Sequence, residues 1–228
     1  MDLTEKVNVP ELQKVVAIIV AGVPLADIVK RTVPSSTDLL GKRMADRVER
    51  CFVKTAKMIE DAGVDPQQVE DKLVIEILRA ASLEQDEDLH TMWAALLANA
   101  ALPENAGKVR PSFIAVLKQM AHDEASLLNW IFKYCARPQE GEDQSDPSAS
   151  EVGFLELKKA WVELGFASEA SFEHFNVHHQ DVQQFIVCRE RLAATGLIGI
   201  PADDDTVCKL TLFGCQFIES CNAPERKP

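Results

Sequence analysis

Residues 86–104, DEDLHTMWAALLANAALPE, decide how the rest of the chain is read. Past Thr91 the stretch has almost no polar side chain until Asn99. On a helical wheel Leu89, Met92, Trp93, Leu96, Leu97 and Ala100 share one face, while Thr91, Ala94, Ala95 and Ala98 cover the other. A helix that is apolar all round is buried all round. The spacing therefore predicts a central packing helix, whose large face fills a core and whose alanine face lets another helix come close. SLEQ at 82–85 fits the capping-box pattern, and the acids Glu84, Asp86, Glu87 and Asp88 suit the positive end of that helix. Asn99 sits at the margin beside Met92, where an amide is expected to bond backbone as the helix ends before Pro103.

Outward from this segment the period stays helical. Residues 42–62 place Met44, Val48, Cys51, Phe52, Thr55, Met58, Ile59 and Ala62 at three- and four-residue steps, and Gly63 stops the pattern. Val69, Leu73, Val74, Ile77, Leu78 and Ala81 give a second stripe. Pro111 suits a first helical turn, ahead of Phe113, Val116, Leu117 and Met120, and AHDEASLLNWIFKYCA supplies a further helix with Leu127, Leu128, Ile131, Phe132 and Cys135 inward. Near the start, the apolar run Val15–Ala26 spans 12 residues, against the roughly 20 of a membrane-crossing helix. A buried helix that breaks at Pro24 is the expectation there.

RPQEGEDQSDPSAS, residues 137–150, has no large apolar side chain and reads as a flexible linker. Beyond it the grammar changes. Short helices around 153–164 and 169–176 precede a longer one, Asp181–Ala194, with Val182, Phe185, Ile186, Cys188, Leu192 and Ala193 inward. Leu197, Ile198 and Ile200 can then pair with Val207, Lys209 and Thr211 as two strands around the turn PADDDT, and a last helix runs from about Phe213 to Cys221. The fold class is mainly α: a helical bundle over 1–136, the linker over 137–150, and a winged-helix-like module with a short β-hairpin over 151–228.

Composition limits the function. The formal net charge of -12 argues against general affinity for phosphate backbones. The last helix before the expected wing carries Arg189 and Arg191 but also Asp181 and Glu190; with Lys209 these cations are the candidate nucleic-acid contacts, yet the wing tip is Asp203, Asp204 and Asp205. Cys51, Cys135, Cys188, Cys208, Cys215 and Cys221 form no CxxC pair, which suits reduced thiols in a cytoplasmic protein. His174, His178 and His179 with Cys188 could be imagined around a metal, but no second ligand pair has zinc-site spacing. There is no GxSxG, no phosphate-cradling glycine loop and no HExxH. No catalytic residue, metal or cofactor is expected.

AASLEQDEDLHTMWAALLANA, VRPSFIAVLKQMAHDEASLLNWI, RLAATGLIGI and KLTLFGCQFIESC, taken together and in this order, resemble the abortive infection alpha family of bacterial proteins. The resemblance covers most of residues 70–221 and picks out Glu84, Asp86, Trp93, Asn99, Pro111, Phe113, Asp123, Leu197, Thr211 and Gly214 as family-like positions. It implies phage defence and brings no catalytic residue with it. The expectation is a non-enzymatic protein acting through contacts with a protein partner, with a homo-oligomer allowed. One alternative is a DNA-binding regulator that uses the C-terminal module; another is a membrane-damaging effector acting through residues 15–29.

Overall fold

The computed structural model describes residues 9–33, 38–136, 150–173 and 179–224. The protein is mostly helical with one small antiparallel sheet, and it divides into two compact units, Met1–Gln119 with Glu219–Pro228 and Met120–Ile218.

The first unit is built on α1 (Val9–Ile19), α2 (Leu25–Thr32), α3 (Leu39–Ala62), α4 (Asp71–Leu83), α5 (Glu87–Ala101) and α6 (Pro111–Leu117), with a 3-10 turn at Pro103–Asn105. The expected helix near the start breaks as anticipated: Ala21 and Gly22 take positive φ, and Pro24 precedes the first turn of α2. No helix among the described residues is long and apolar enough to cross a membrane. Helix α3 is capped by the Asp38 carboxylate, which accepts from Gly41 N at 2.6 Å, and it ends at Gly63 in the left-handed region at φ 67.

Helix α5 packs on both α3 and α4. Trp93 is 1% exposed, and Phe52, Phe113, Ile59, Ile77, Leu78, Leu96 and Leu97 complete the core around it. On the alanine side the Thr55 hydroxyl donates to Ala94 O at 3.0 Å, a bond that only small side chains along this face permit. The capping box expected at SLEQ does not form. Ser82 still belongs to α4 and donates to Arg79 O, while Asp86 caps α5 by accepting from Asp88 N and Leu89 N. The helical stripe of α4 runs on through Ser82, so the next start falls one turn later.

The second unit holds α7 (His122–Cys135), β1 (Glu151–Gly153), α8 (Phe154–Glu163), α9 (Glu169–Glu173), α10 (Gln180–Ala194), β2 (Ile198–Gly199), β3 (Val207–Leu210) and the first turns of α11 (Leu212–Cys221). The sheet order is β1-β3-β2, all antiparallel, with Val152 opposite Cys208 and Ile198 opposite Leu210. Two corrections belong here. The hairpin has a third strand, β1, too short to show an alternation in sequence. The expected hairpin pairs Ile198 with Leu210 and Gly199 with Lys209 and buries Cys208 and Leu210, while Leu197, Ile200 and Thr211 lie just outside the strands.

Trp161 and Phe185 anchor this second core, with their rings 5.6 Å apart and Phe154, Phe166 and Phe172 set around them, mostly edge to face. Helix α7 packs on α8, α10 and β1, burying Leu127, Leu128 and Ile131. A helix that precedes the expected linker thus packs with the elements that follow it. Residues 137–149 of that linker lie outside the described residues.

Candidate functional site

A polar cluster joins α3 to the first turn of α5. The Lys54 ammonium, about one-seventh exposed, donates to Glu87 Oε1 at 2.6 Å and Thr91 Oγ1 at 2.8 Å, and faces His90 Nδ1 at 3.3 Å. Lysine has only donors, so His90 Nδ1 must accept; its Nε2–H then donates to Arg47 O at 3.1 Å. Both ring nitrogens are used in the neutral form. Burial, reinforced by the Lys54 charge, pushes His90 down to about 4. For Glu87 burial works against the charged form, but the Lys54 hydrogen bond and the Lys54 and Arg50 charges outweigh it and hold the carboxyl below its ordinary value. Sequence reasoning passed over His90 because a lone histidine in an apolar helix carries no spacing signal.

Asn99 makes a second junction at the other end of α5. Its amide nitrogen lies 3.1 Å from Ala95 O, 3.1 Å from Ser220 O and 2.9 Å from Asn222 O, and its Oδ1 accepts from Asn105 Nδ2 at 2.9 Å. Two N–H groups serve three carbonyls, so one hydrogen is shared. The side chain ties the end of α5 to the end of the chain. That is architecture, and nothing in the contacts leaves the amide free for chemistry.

The late motif residues meet in one place. Thr211 is the N-cap of α11: its Oγ1 accepts from Gly214 N at 2.8 Å and donates toward Gly196 O and Leu197 O at 2.5 and 3.2 Å. A Cβ at Gly214 would lie 2.0 Å from Leu197 O, so only glycine admits this approach. Leu197 itself is fully buried. The remaining family-like positions also have structural partners. Glu84 Oε1 accepts from Gln85 N and Asp86 N, Pro111 opens α6, Phe113 is buried, and the Asp123 carboxylate accepts from Glu124 N and Gln184 Nε2.

The three candidate nucleic-acid cations are engaged inside the second unit. Arg189 Nη2 donates to Asp205 O and Val207 O, and its guanidinium lies over the Phe154 ring. Arg191 Nε pairs with Glu124 Oε1 at 2.5 Å, and Lys209 Nζ with Glu151 Oε1 at 2.7 Å. Of the imagined metal ligands, His174 and His178 lie outside the described residues, His179 is exposed 3.9 Å from Asp181, and Cys188 is buried. All six cysteines are buried free thiols. Burial pushes Cys51 and Cys208 up to about 12 and Cys135 up to about 11, which leaves little thiolate near neutrality.

Compared with known proteins, the chain matches a family model described as abortive infection alpha over residues 42–221. No curated protein and no solved structure matches it.

Proposed function

The chain belongs to the abortive infection alpha family, which points to an abortive-infection-type defence role, and we propose that it fills this role as a non-enzymatic cytoplasmic protein working through protein contacts. We read the second unit as a winged-helix-like module turned from nucleic acid to protein. The observation that carries this reading is the fate of its cations: Arg189, Arg191 and Lys209 are each held by a partner in the same unit, while the wing tip keeps Asp203, Asp204 and Asp205 exposed. A DNA-reading module needs a basic face. The sparse thiolate of the buried cysteines agrees with a protein that does no nucleophilic chemistry through them.

Phage challenge tests the role: bacteria expressing the chain should plate phage less efficiently than cells with an empty vector. Equal plating across a broad phage panel would break the reading. For mechanism, labelled duplex DNA should show no binding at low salt beyond what a charge-matched acidic protein shows. Salt-sensitive binding that Arg189→Ala with Arg191→Ala abolishes would favour a DNA-binding regulator instead. The membrane alternative rests on α1 and α2, which are separate helices of 11 and 8 residues. Firm flotation with liposomes would favour it.

A further inference from the structure

Inside the first unit, the end of α1, the turn after it, α2 and the start of α4 enclose a pocket. Its walls are Val20, Val23, Ile28, Val74 and Ile75, all β-branched and aliphatic, the first, third and fourth of them buried and the others half-buried. Two hydrogen bonds fix the frame. Val69 N donates to Ile19 O at 3.0 Å, which holds the approach to α4 against the end of α1, and Arg79 Nη2 donates to Arg31 O at 3.4 Å, which holds the end of α2 to α4. Positive φ at Ala21 and Gly22 turns the chain between Val20 and Val23.

Two charges of opposite sign complete the lining, Arg31 and Asp71, both exposed. Lys30, beside Arg31, pairs with Asp27 at 3.3 Å, whereas the Arg31 guanidinium and the Asp71 carboxylate have no ion pair or hydrogen bond among the described residues. A guanidinium offers a planar fork of donors to a carboxylate, and a carboxylate accepts from an ammonium. Apolar walls flanked by one cation and one anion therefore complement a molecule that carries an anion, a cation and an aliphatic body together. An apolar lining with a few convergent polar groups is the make-up of a small-molecule site. With its open mouth included the space is about 280 Å³, below the roughly 300–1,000 Å³ of sites for drug-sized ligands, so the occupant must be small.

We propose that this pocket binds a free amino acid with a branched aliphatic side chain, its carboxylate on Arg31, its ammonium on Asp71 and its methyl groups among the valines and isoleucines. The proposal goes beyond the protein-contact reading and does not depend on it.

The test uses the full chain with isotope-labelled methyl groups and L-leucine as the probe, followed by two-dimensional NMR. Leucine should shift the methyl signals of Val20, Ile28 and Val74 saturably, with a Kd on the order of 1 mM because solvent screens both ion pairs. Isocaproate, which lacks the ammonium, and isoamylamine, which lacks the carboxylate, should each bind about tenfold more weakly. Glycine, with no side chain, should leave these methyls unmoved. Arg31→Gln should lower leucine to the level of isoamylamine, and Asp71→Asn should lower it to that of isocaproate. Both positions are exposed, so these variants should melt with the parent. Lys30→Gln and Lys72→Gln, which remove neighbouring charges outside the lining, should change the affinity less than about twofold. No saturable shift by roughly 10 mM leucine would overturn the proposal. So would equal binding of leucine and its two analogues, which would reduce the site to a greasy hollow, or losses in the Lys30 and Lys72 variants that match those at Arg31 and Asp71.

Discussion

Helices α5 and α10 are each fifteen residues long and each central to its unit, yet α5 buries twelve of its residues and α10 four. The same length of helix therefore serves opposite ends. Past its first turn, where Glu87 and Asp88 are exposed, α5 is covered throughout, and its polar side chains His90 and Asn99 are satisfied by protein partners. In α10 one stripe holds the aromatic core while the other stays open around Val187. A fully covered helix specifies a fold, and a half-covered one can also specify a partner.

The sharpest way to break this contrast is to truncate the centre of α5. Trp93→Ala should cost about 3–5 kcal/mol, enough to abolish a cooperative melt in urea or on heating. A sharp transition near that of the parent would show that α5 is not the keystone described.

Gly214→Ala carries the comparison to the motif that follows α10. A methyl 2.0 Å from Leu197 O must displace backbone, so a loss at the upper end of roughly 1–3 kcal/mol is expected, read from the urea midpoint. Alanine is otherwise the better helix former, so any gain in stability would refute the close approach.

Acid separates the sealed helix from the open one. His90 takes a proton in the unfolded chain near 6.5 but in the folded protein only near 4, so its contribution is complete above pH 6.5 and falls away as pH drops toward 4. Each unit is worth about 1.4 kcal/mol, giving at most about 3.5 kcal/mol from this group. The lowered Glu87 adds further loss below the ordinary carboxyl range. Melting temperature followed from pH 7 to 4.5 should decline, and His90→Gln should flatten the decline. An unchanged slope in that variant would remove His90 as the cause.

The smallest effect belongs to the open stripe. Val187→Ala should leave stability within about 0.5 kcal/mol of the parent. A loss comparable to a core truncation would mean that Val187 is covered, and the contrast between the two helices would disappear.

Much of this was legible in advance. The wheel of residues 86–104 already buries Trp93 and sets alanines toward a neighbour, because side-chain size and a period of 3.6 are local properties. Gly63 and Pro24 mark helix boundaries for equally local reasons, φ and a missing N–H. The order of helix, hairpin and helix beyond residue 150 was readable, although β1 was not, since three residues are too few to show a period.

What the sequence determined by itself is therefore the set of helices, their inward faces, the acidic balance and the family. Only the tertiary structure decided what each polar group meets. Asn99 bonds carbonyls 121 and 123 residues away, Arg189 turns onto the carbonyls of Asp205 and Val207, Arg191 finds Glu124, and α7 packs on α8 and α10. The physical reason is range. Helix propensity and amphipathicity act over a few residues, whereas a hydrogen bond or ion pair forms wherever packing brings two groups within about 3 Å, and no pattern along the chain records that distance.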